Sequence, residues 1–272
     1  MEILIKAKSK TQFIRLQELV EFRDLFYILS WRDIKVRYKQ TVIGVLWVLL
    51  QPLISTFIFT VFFGTFVEIP SDNLPYPIFV LIGLIYWGLF SQALSRAAGS
   101  LVENQQLVKK VYFPRELLPF SAVLTAFADF LVSLVLLLIA LIYYGIIPNL
   151  LFLSLAVLSA FITMIASSGL GMLLAAINVS YRDVRYIIPF FLQLLIFVSP
   201  VIYPLAIVRP SFQMFLAINP MSGLIDALRS TLSSQTIEHP LLLLISIISS
   251  FIFFVGGALY FKNHERKFAD IL

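Results

Sequence analysis

Four basic side chains in one short stretch are the strongest candidates for chemistry in this 272-residue sequence. Arg32, Lys35, Arg37 and Lys39 lie within eight residues, of which only Asp33 is acidic. Guanidinium and ammonium groups bind phosphate-type anions. The same charges can instead flank a membrane span, where each is attracted to anionic lipid by about 1 kcal/mol. The sequence leaves both interpretations open.

Asp129 is the one clear charged residue inside a long apolar stretch. A carboxylate at mid-membrane costs about 2.5–3.5 kcal/mol on insertion scales, so it is a functional candidate by default. No basic residue accompanies it in any apolar stretch, which argues against a proton relay. We therefore expect Asp129 to be protonated, or hydrogen-bonded to a Ser, Thr or Tyr of a neighbouring span, and to stabilise packing. A functional role is the alternative.

Other sequence motifs for catalysis or metal binding are absent. There is no GxxxxGK[ST] phosphate loop, so the chain does not bind ATP in that way. There is also no HExxH, no GxSxG and no cysteine, and the two histidines are far apart in sequence. We expect no catalytic residue, no metal and no cofactor in this chain.

The composition indicates that lipid surrounds most of the chain. Hydrophobic residues make up 60% of the sequence and charged residues 13%, with a mean hydropathy of +0.95. A soluble domain is about 45–50% apolar and about 25% charged. The net charge of +5 is therefore attributed to membrane topology, and no nucleic-acid partner is expected.

Six segments are long enough to cross a bilayer as helices, which takes about 20 apolar residues. They cover about residues 42–67, 76–95, 117–144, 151–178, 187–203 and 240–261. Nine Lys or Arg residues precede the first span, four follow the second, two the fourth and three the sixth, so eighteen of twenty lie on one side. This positive-inside pattern predicts a multi-pass protein of the cytoplasmic (inner) membrane with both termini in the cytoplasm.

Three segments outside the spans also have helical patterns. Apolar residues recur at helical spacing in the segment 1–41, which predicts an amphipathic helix at the cytoplasmic interface. Residues 101–114 predict another, lying on lipid headgroups or docked on a cytoplasmic protein. Residues 204–238 are apolar but interrupted by three prolines, which predicts short re-entrant helices near the outer face. The expected fold is a single all-α transmembrane domain.

Four stretches resemble ABC-2-type permeases that export polysaccharides. They are RDIKVRYKQTVIGVLWVLLQPL from Arg32, VKKVYFPRELLP from Val108, VSPVIYP from Val198, and INPMSGLIDALRS, where Arg229 follows Pro220 by nine residues. The resemblance covers nearly the whole chain in the right order. It is closest to the Wzm-type O-antigen permeases, and the teichoic-acid permeases are similar.

The resemblance implies a transport subunit without an ATPase site of its own. Two copies would form a homodimer and pair with two Wzt-like ATPase subunits, which bind ATP and Mg²⁺. The complex would export a polysaccharide linked to a polyprenyl pyrophosphate lipid. On this reading the pyrophosphate-binding candidates are Arg32, Lys35, Arg37 and Lys39.

The resemblance also implies roles for the segments between spans. Residues 101–114 would be the coupling helix that docks on the ATPase, and residues 204–238 would form gate helices at the outer face. The candidate ATPase contacts are Leu107, Val108, Val111, Tyr112 and Phe113, with Arg182 and Asp183 in a shorter second loop.

Aromatic side chains are abundant in the first, second and fifth spans. Most of them are expected to contact lipid, whereas a subset facing a lumen would stack on sugar rings and let them slide. Gln51 and Pro52 add a polar group and an expected kink to the first span, which favours it as a pathway-lining helix. The pathway candidates are Trp47, Phe57, Phe59, Phe62, Phe63, Trp87, Phe190, Phe191 and Phe197.

Two alternative functions remain open at the level of sequence. An ABC-2 permease for teichoic acid, a drug or a lipid would share the fold and differ only in substrate. A membrane scaffold or scramblase outside the ABC class would have no ATPase partner.

Overall fold

The computed structural model describes residues 16–39, 44–181 and 183–271, and these are helical with no strand among them. The helices are α1 Leu16–Glu21, α2 Arg23–Lys39, α3 Val45–Phe59, α4 Tyr76–Glu103, α5 Gln105–Lys110, α6 Leu117–Tyr143, α7 Leu150–Ser180, α8 Val184–Val198, α9 Pro210–Ala217, α10 Pro220–Ser233, α11 Pro240–His264 and α12 Phe268–Ile271. A π-helical segment, Thr60–Phe66, continues α3, and single 3₁₀ turns occupy Leu205–Ile207 and Glu265–Lys267.

In the described part of the chain, five helical segments are long and apolar enough to cross a membrane. They are Val45–Phe66, Tyr76–Glu103, Leu117–Tyr143, Leu150–Ser180 and Pro240–Lys267, and they overlap the first four predicted spans and the sixth. The predicted fifth span, 187–203, is represented by α8, which has only 15 residues and ends at Val198. Pro200 follows the end of α8 closely, and a proline cannot extend the backbone hydrogen-bond ladder of a helix.

The central helix of the bundle is α4, which is buried along most of its 28 residues. It packs against α6 and α7, and small side chains let the backbones approach. A Cβ atom added to Gly171 of α7 would lie 2.4 Å from the Cβ of Ala97 in α4. Polar side chains fix the same contact, since Asn178 donates to the Ala98 carbonyl at 3.0 Å and Tyr86 to the Ala156 carbonyl at 2.9 Å.

Glycines also set the crossing of α7 and α11. A Cβ atom on Gly257 would lie 1.9 Å from the carbonyl oxygen of Gly169, and one on Gly169 would lie 2.2 Å from the Cα of Phe254. Close approach through small residues is typical of helices that pack within a bilayer, where apolar area alone does not drive association.

One end of the bundle, which we call the basic end, joins α2, α5, α12 and the adjoining ends of α4, α6, α7 and α11. A cluster of buried apolar side chains holds these elements together, with Leu29, Val108, Phe113, Phe261 and Phe268 among its members. Most of the described Lys and Arg side chains lie here.

An ion pair also fixes the basic end. The ammonium of Lys262 lies 2.5 Å from the carboxylate of buried Glu116 and 2.9 Å from that of Glu265. The loop before α6 is thereby tied to the end of α11.

The opposite end depends on a buried arginine. Arg229 of α10 is 2% exposed. It donates to the carbonyl of Phe79 at 2.9 Å and to those of Pro200 and Val201 at 2.6 Å each. Its guanidinium carbon also lies 3.5 Å from the centre of the Phe79 ring. Arg229 therefore joins α10 to the start of α4 and supplies donors to carbonyls that the end of α8 leaves outside a helix.

Replacing Gly257 by alanine should loosen the α7–α11 crossing, because the new methyl group meets the backbone of Gly169. Overpacking of this kind costs about 1–3 kcal/mol. We expect a lower thermal denaturation midpoint of the purified protein in detergent. Gly256→Ala is the matched control, since a Cβ there has no neighbour within 4 Å and should leave the midpoint unchanged or raise it. Equal effects of the two changes would contradict the described crossing.

The Arg229→Lys substitution should lower the same midpoint although it keeps the positive charge. One ammonium cannot reach three carbonyls held in different directions, and each buried carbonyl left unpaired costs about 1–3 kcal/mol. Arg209→Lys, at an exposed position before α9, is the control. A midpoint for Arg229→Lys equal to that of the control would show that the positive charge alone stabilises the fold and that the three hydrogen bonds add nothing.

Candidate functional site

A second buried acid in the described residues, Asp129 of α6, is 1% exposed and has charged partners on two other helices. Its Oδ2 atom lies 2.9 Å from Nη2 of Arg96 in α4 and 3.0 Å from Nη2 of Arg37 in α2. Its Oδ1 atom accepts a hydrogen bond from the hydroxyl of Tyr38 at 2.5 Å. Three helices therefore meet at one carboxylate. We call Arg37, Tyr38, Arg96 and Asp129 the Asp129 cluster.

These contacts overturn the prediction that Asp129 has no basic partner within the spans. The second span was predicted to end at residue 95, but α4 continues without a break to Glu103 and carries Arg96 on a membrane-length helix. The expected hydrogen bond to a Tyr is present, although Tyr38 belongs to α2 rather than to a neighbouring span. The uninterrupted helical sequence after residue 95 was the signal that could have identified Arg96.

The Asp129 cluster contains two cations and one anion. Arg37 and Arg96 remain protonated in proteins, so both guanidinium groups are positively charged partners of the Asp129 carboxylate. Burial, reinforced by the neighbouring carboxylate, raises the pKa of Tyr38 and keeps its phenol neutral as a hydrogen-bond donor. The cluster therefore supplies two cations and one neutral donor to a buried acid.

The four basic residues predicted to bind one anion do not lie together. Arg37 is directed to Asp129, whereas Arg32, Lys35 and Lys39 share another side of α2 at helical spacing and are exposed. Arg32 lies 2.8 Å from Asp33 and donates to the side-chain oxygen of Asn104 at 2.9 Å. We call Arg32, Lys35 and Lys39 the basic face of α2.

A cavity of about 220 Å³ lies beside the Asp129 cluster, between α3, α4, α6 and α8. Its walls combine carboxamides and hydroxyls with aromatic rings. The lining includes Gln51, Pro52, Ser55, Phe59, Trp87, Ser91, Gln92, Phe130, Ser133 and Ile196. Arg96 donates to Gln92 at 3.3 Å, which connects the cluster to the cavity wall. Gln51 and Pro52 of the first span line this cavity, and the role of that span as a pathway-lining helix stays a prediction.

The predicted pathway aromatics are divided between the cavity and the surface. Of the nine, Phe59 and Trp87 line the cavity, and Trp87 is 6% exposed. Phe63 is half-buried against the core. The others are more than half exposed in the single chain: Trp47, Phe57, Phe62, Phe190, Phe191 and Phe197. Sequence reasoning missed Gln92, Ser91, Phe130 and Ser133, of which Gln92 was recognisable as a large polar residue inside a span.

The prediction that residues 101–114 form one coupling helix is wrong. Residues up to Glu103 belong to α4, and α5 is a six-residue helix ending at Lys110, after which Val111 is extended. Pro114 disfavours a helical conformation at the residue before it, which explains why the helix does not reach this point.

Some of the predicted coupling side chains are buried and others are exposed. Val108 and Phe113 are buried, and Leu107 packs on the same cluster. Val111 and Tyr112 are 49% and 78% exposed. In the second predicted contact, Asp183 is exposed immediately before α8, and Arg182 lies outside the described residues.

Comparison with known proteins identifies the relatives of the chain. Residues 24–233 match the family described as ABC-2 type transporter. The chain is 30% identical over 262 residues to the O-antigen export system permease protein RfbA of Myxococcus xanthus, covering 93% of this chain and 97% of that protein. It is 26% identical to RfbA of Klebsiella pneumoniae, covering 92% and 95%. It is also 26% identical to the polysialic acid transport protein KpsM of Escherichia coli, covering 86% and 91%.

Replacing Tyr38 by phenylalanine should destabilise the fold only by removing the hydrogen bond from the Tyr38 hydroxyl to Asp129. The change removes one hydrogen bond to a charged group, which contributes about 1.5–3 kcal/mol, and keeps the ring. We expect a lower thermal denaturation midpoint in detergent. Tyr27→Phe is the control, because Tyr27 lies on the same helix and is 66% exposed. If Tyr38→Phe matches Tyr27→Phe, the Tyr38–Asp129 contact contributes nothing to stability.

Proposed function

The chain belongs to the ABC-2 type transporter family, and from that premise we propose that it is the permease subunit of an ATP-driven exporter of a lipid-linked polysaccharide. The observation that carries the substrate class is the similarity to two RfbA permeases and to KpsM along most of each chain. Those relatives are named for O-antigen export and for polysialic acid transport.

The cavity supports the same substrate class on chemical grounds. A sugar presents hydroxyl groups at its edges and C–H bonds on its ring faces. Gln51 and Gln92 each offer a donor and an acceptor, while Trp87 and Phe59 offer ring faces. A purely apolar cavity would suit a drug or an acyl chain better than a sugar. The observed mixture favours a glycan, with teichoic acid in the same chemical class.

The proposed assembly contains two copies of the chain and two Wzt-like ATPase subunits. The missing phosphate loop supports a separate source of ATP hydrolysis. At the basic end, exposed Val111 and Tyr112 stand beside exposed Lys109 and Lys110, and together they form the proposed docking surface for the ATPase. Buried Phe113 lies four residues before the start of α6 and belongs to the apolar cluster that includes the end of α11. A displacement of the docking surface would therefore reach two membrane helices.

The proposed topology has six spans, with α8 as a short fifth, and both termini in the cytoplasm. The accumulation of Lys and Arg at the basic end supports its placement on the cytoplasmic side. On this topology α9 and α10 form the gate segment at the outer face, where Arg229 anchors α10. The basic face of α2 then lies at the cytoplasmic interface, where it attracts the phosphorylated headgroup of the substrate.

Proteoliposomes test the proposed function directly. The purified permease–ATPase complex would be reconstituted with a radiolabelled polyprenyl-pyrophosphate oligosaccharide, and its appearance on the far side of the membrane measured with and without ATP. We expect ATP-dependent transfer that a catalytically inactive ATPase abolishes. Transfer that proceeds equally without ATP would instead identify a scramblase, and transfer of a labelled phospholipid but not of the glycan would identify a lipid exporter.

The Tyr112→Ala substitution should weaken pairing with the ATPase by removing the most exposed aromatic side chain of the docking surface. We expect reduced co-purification of the ATPase, by about tenfold or more if Tyr112 is an interface hot spot, and a parallel loss of export. Phe215→Ala is the control, because Phe215 is 70% exposed in α9 at the opposite end. Normal ATPase recovery with Tyr112→Ala would place the docking surface elsewhere.

A further inference from the structure

We propose that a second groove, between α1, α2, α6 and α7, binds one acyl chain of a membrane phospholipid with an ethanolamine headgroup. The headgroup phosphate would lie at Arg23 and its ammonium group at Asp24. The groove has a volume of about 540 Å³ and is lined by side chains of all four helices. A lipid at this position goes beyond the proposed function, because it is bound by the permease whatever substrate the permease moves.

The walls of the groove match a hydrocarbon chain. Apart from Arg23 and Ser168, its described lining residues are apolar, and they include Phe26, Phe120 and Met164. A sugar or a peptide would leave polar groups without partners there, and unpaired polar groups are costly to bury. An acyl chain has no polar group to satisfy and gains from each methylene group that it buries. The volume lies within the range of about 300–1,000 Å³ that is usual for small-molecule sites.

The groove is separate from the cavity beside the Asp129 cluster. Both are lined by α6, but they have no lining residue in common. The groove uses the first two turns of α6, from Leu117 to Leu124, whereas the cavity uses Ala126, Phe130 and Ser133. The other walls also differ, since α3, α4 and α8 line the cavity and α1, α2 and α7 line the groove. A lipid chain in the groove therefore leaves the space assigned to the sugar open.

The short helix α1 has the most to gain from a lipid in the groove. It has six residues, and a helix of that length is not stable without packing. The second half of α2 is held to the bundle by the contacts of Arg37 and Tyr38 with Asp129. Val20 of α1, in contrast, lines the groove and is 64% exposed. An acyl chain between α1 and α6 would cover Val20 and hold α1 against the bundle.

The charges beside the groove include both signs. Arg23 lines the groove, and its side chain is 78% exposed, so its guanidinium group can meet a phosphate at the edge of the groove. Asp24 is 90% exposed and lies 3.8 Å from Arg23, a contact between exposed charges that contributes little by itself. Glu21 is also exposed, two residues before Arg23. One cation beside two acids does not favour a headgroup with a net negative charge.

An ethanolamine headgroup complements this pattern. Its phosphate matches Arg23, and its ammonium group, like that of lysine, has three N–H donors for a carboxylate such as that of Asp24. A choline headgroup has the same net charge but no N–H donor, and a glycerol headgroup leaves the phosphate charge uncompensated. The charges therefore distinguish phosphatidylethanolamine from phosphatidylcholine and phosphatidylglycerol.

Native mass spectrometry of the delipidated permease–ATPase complex in detergent tests the site. The complex would be titrated with phosphatidylethanolamine, phosphatidylcholine and phosphatidylglycerol that carry identical acyl chains. We expect phosphatidylethanolamine to bind more tightly than the other two. Equal affinity for phosphatidylcholine or phosphatidylglycerol would overturn the headgroup assignment. Absence of bound lipid would overturn the site itself and would favour residues 1–15 of the same chain as the occupant.

Two charge variants test the headgroup contacts. Arg23→Gln should weaken phosphatidylethanolamine binding by about fivefold, the upper value for one exposed charge contact. Asp24→Asn should abolish the preference for phosphatidylethanolamine over phosphatidylcholine. The controls Lys267→Gln and Asp270→Asn, at exposed positions of the basic end, should bind like the parent protein. Parent-like affinity of Arg23→Gln, or an unchanged preference in Asp24→Asn, would contradict the proposed contacts.

A third variant tests the acyl-chain contact. Met164→Trp places a larger ring in the groove and should remove both the bound lipid and the rise in thermal denaturation midpoint that phosphatidylethanolamine gives the parent. If Met164→Trp does not fold, Val20→Gln is used, because it removes an apolar contact at a position outside the core. Parent-like lipid binding by the folded variant would show that the chain lies elsewhere. Displacement of phosphatidylethanolamine by a polyprenyl phosphate would assign the groove to the substrate and overturn the proposal.

Discussion

The buried carboxylate of Asp129 is the constraint on which the arrangement of the basic end depends. An ionised acid enclosed by apolar helices must be neutralised, and the nearest cations lie on two other elements, α2 and α4. These contacts hold α2 against the bundle and restrict the rotation of α4 about its axis. On the same helix, Gln92 and Trp87 line the cavity.

The opposite end of the bundle also contains a buried charged group, but of the opposite sign. There the buried group is a cation, Arg229, and its partners are backbone carbonyls instead of an acid. Two of those carbonyls, of Pro200 and Val201, lie where α8 ends and the chain becomes irregular, a conformation that survives at membrane depth only with internal partners. One end is therefore fixed by charge pairing, and the other by hydrogen bonds to backbone carbonyls and by the contact of Arg229 with the Phe79 ring.

Composition and hydropathy predicted the all-helical class and five of the long apolar helices because these depend on local sequence. The ends of elements were less predictable. Arg96 looked like the edge of a span, yet nothing in the following residues breaks a helix before Asn104. The division of Arg37 from Lys35 and Lys39 depends on which side of α2 faces α6, and sequence alone leaves that undecided. The Asp129 contacts join residues that are 33 and 91 positions apart, so only the tertiary structure reveals them.

The central claim is that this permease moves a lipid-linked glycan through its helix bundle, with a sugar ring in the cavity beside Trp87. A cryo-electron microscopy structure of the permease–ATPase complex with a bound polyprenyl-pyrophosphate oligosaccharide measures this directly. We expect sugar density against Gln92 and Trp87. Sugar density outside the helix bundle, with the cavity empty, would contradict the claim.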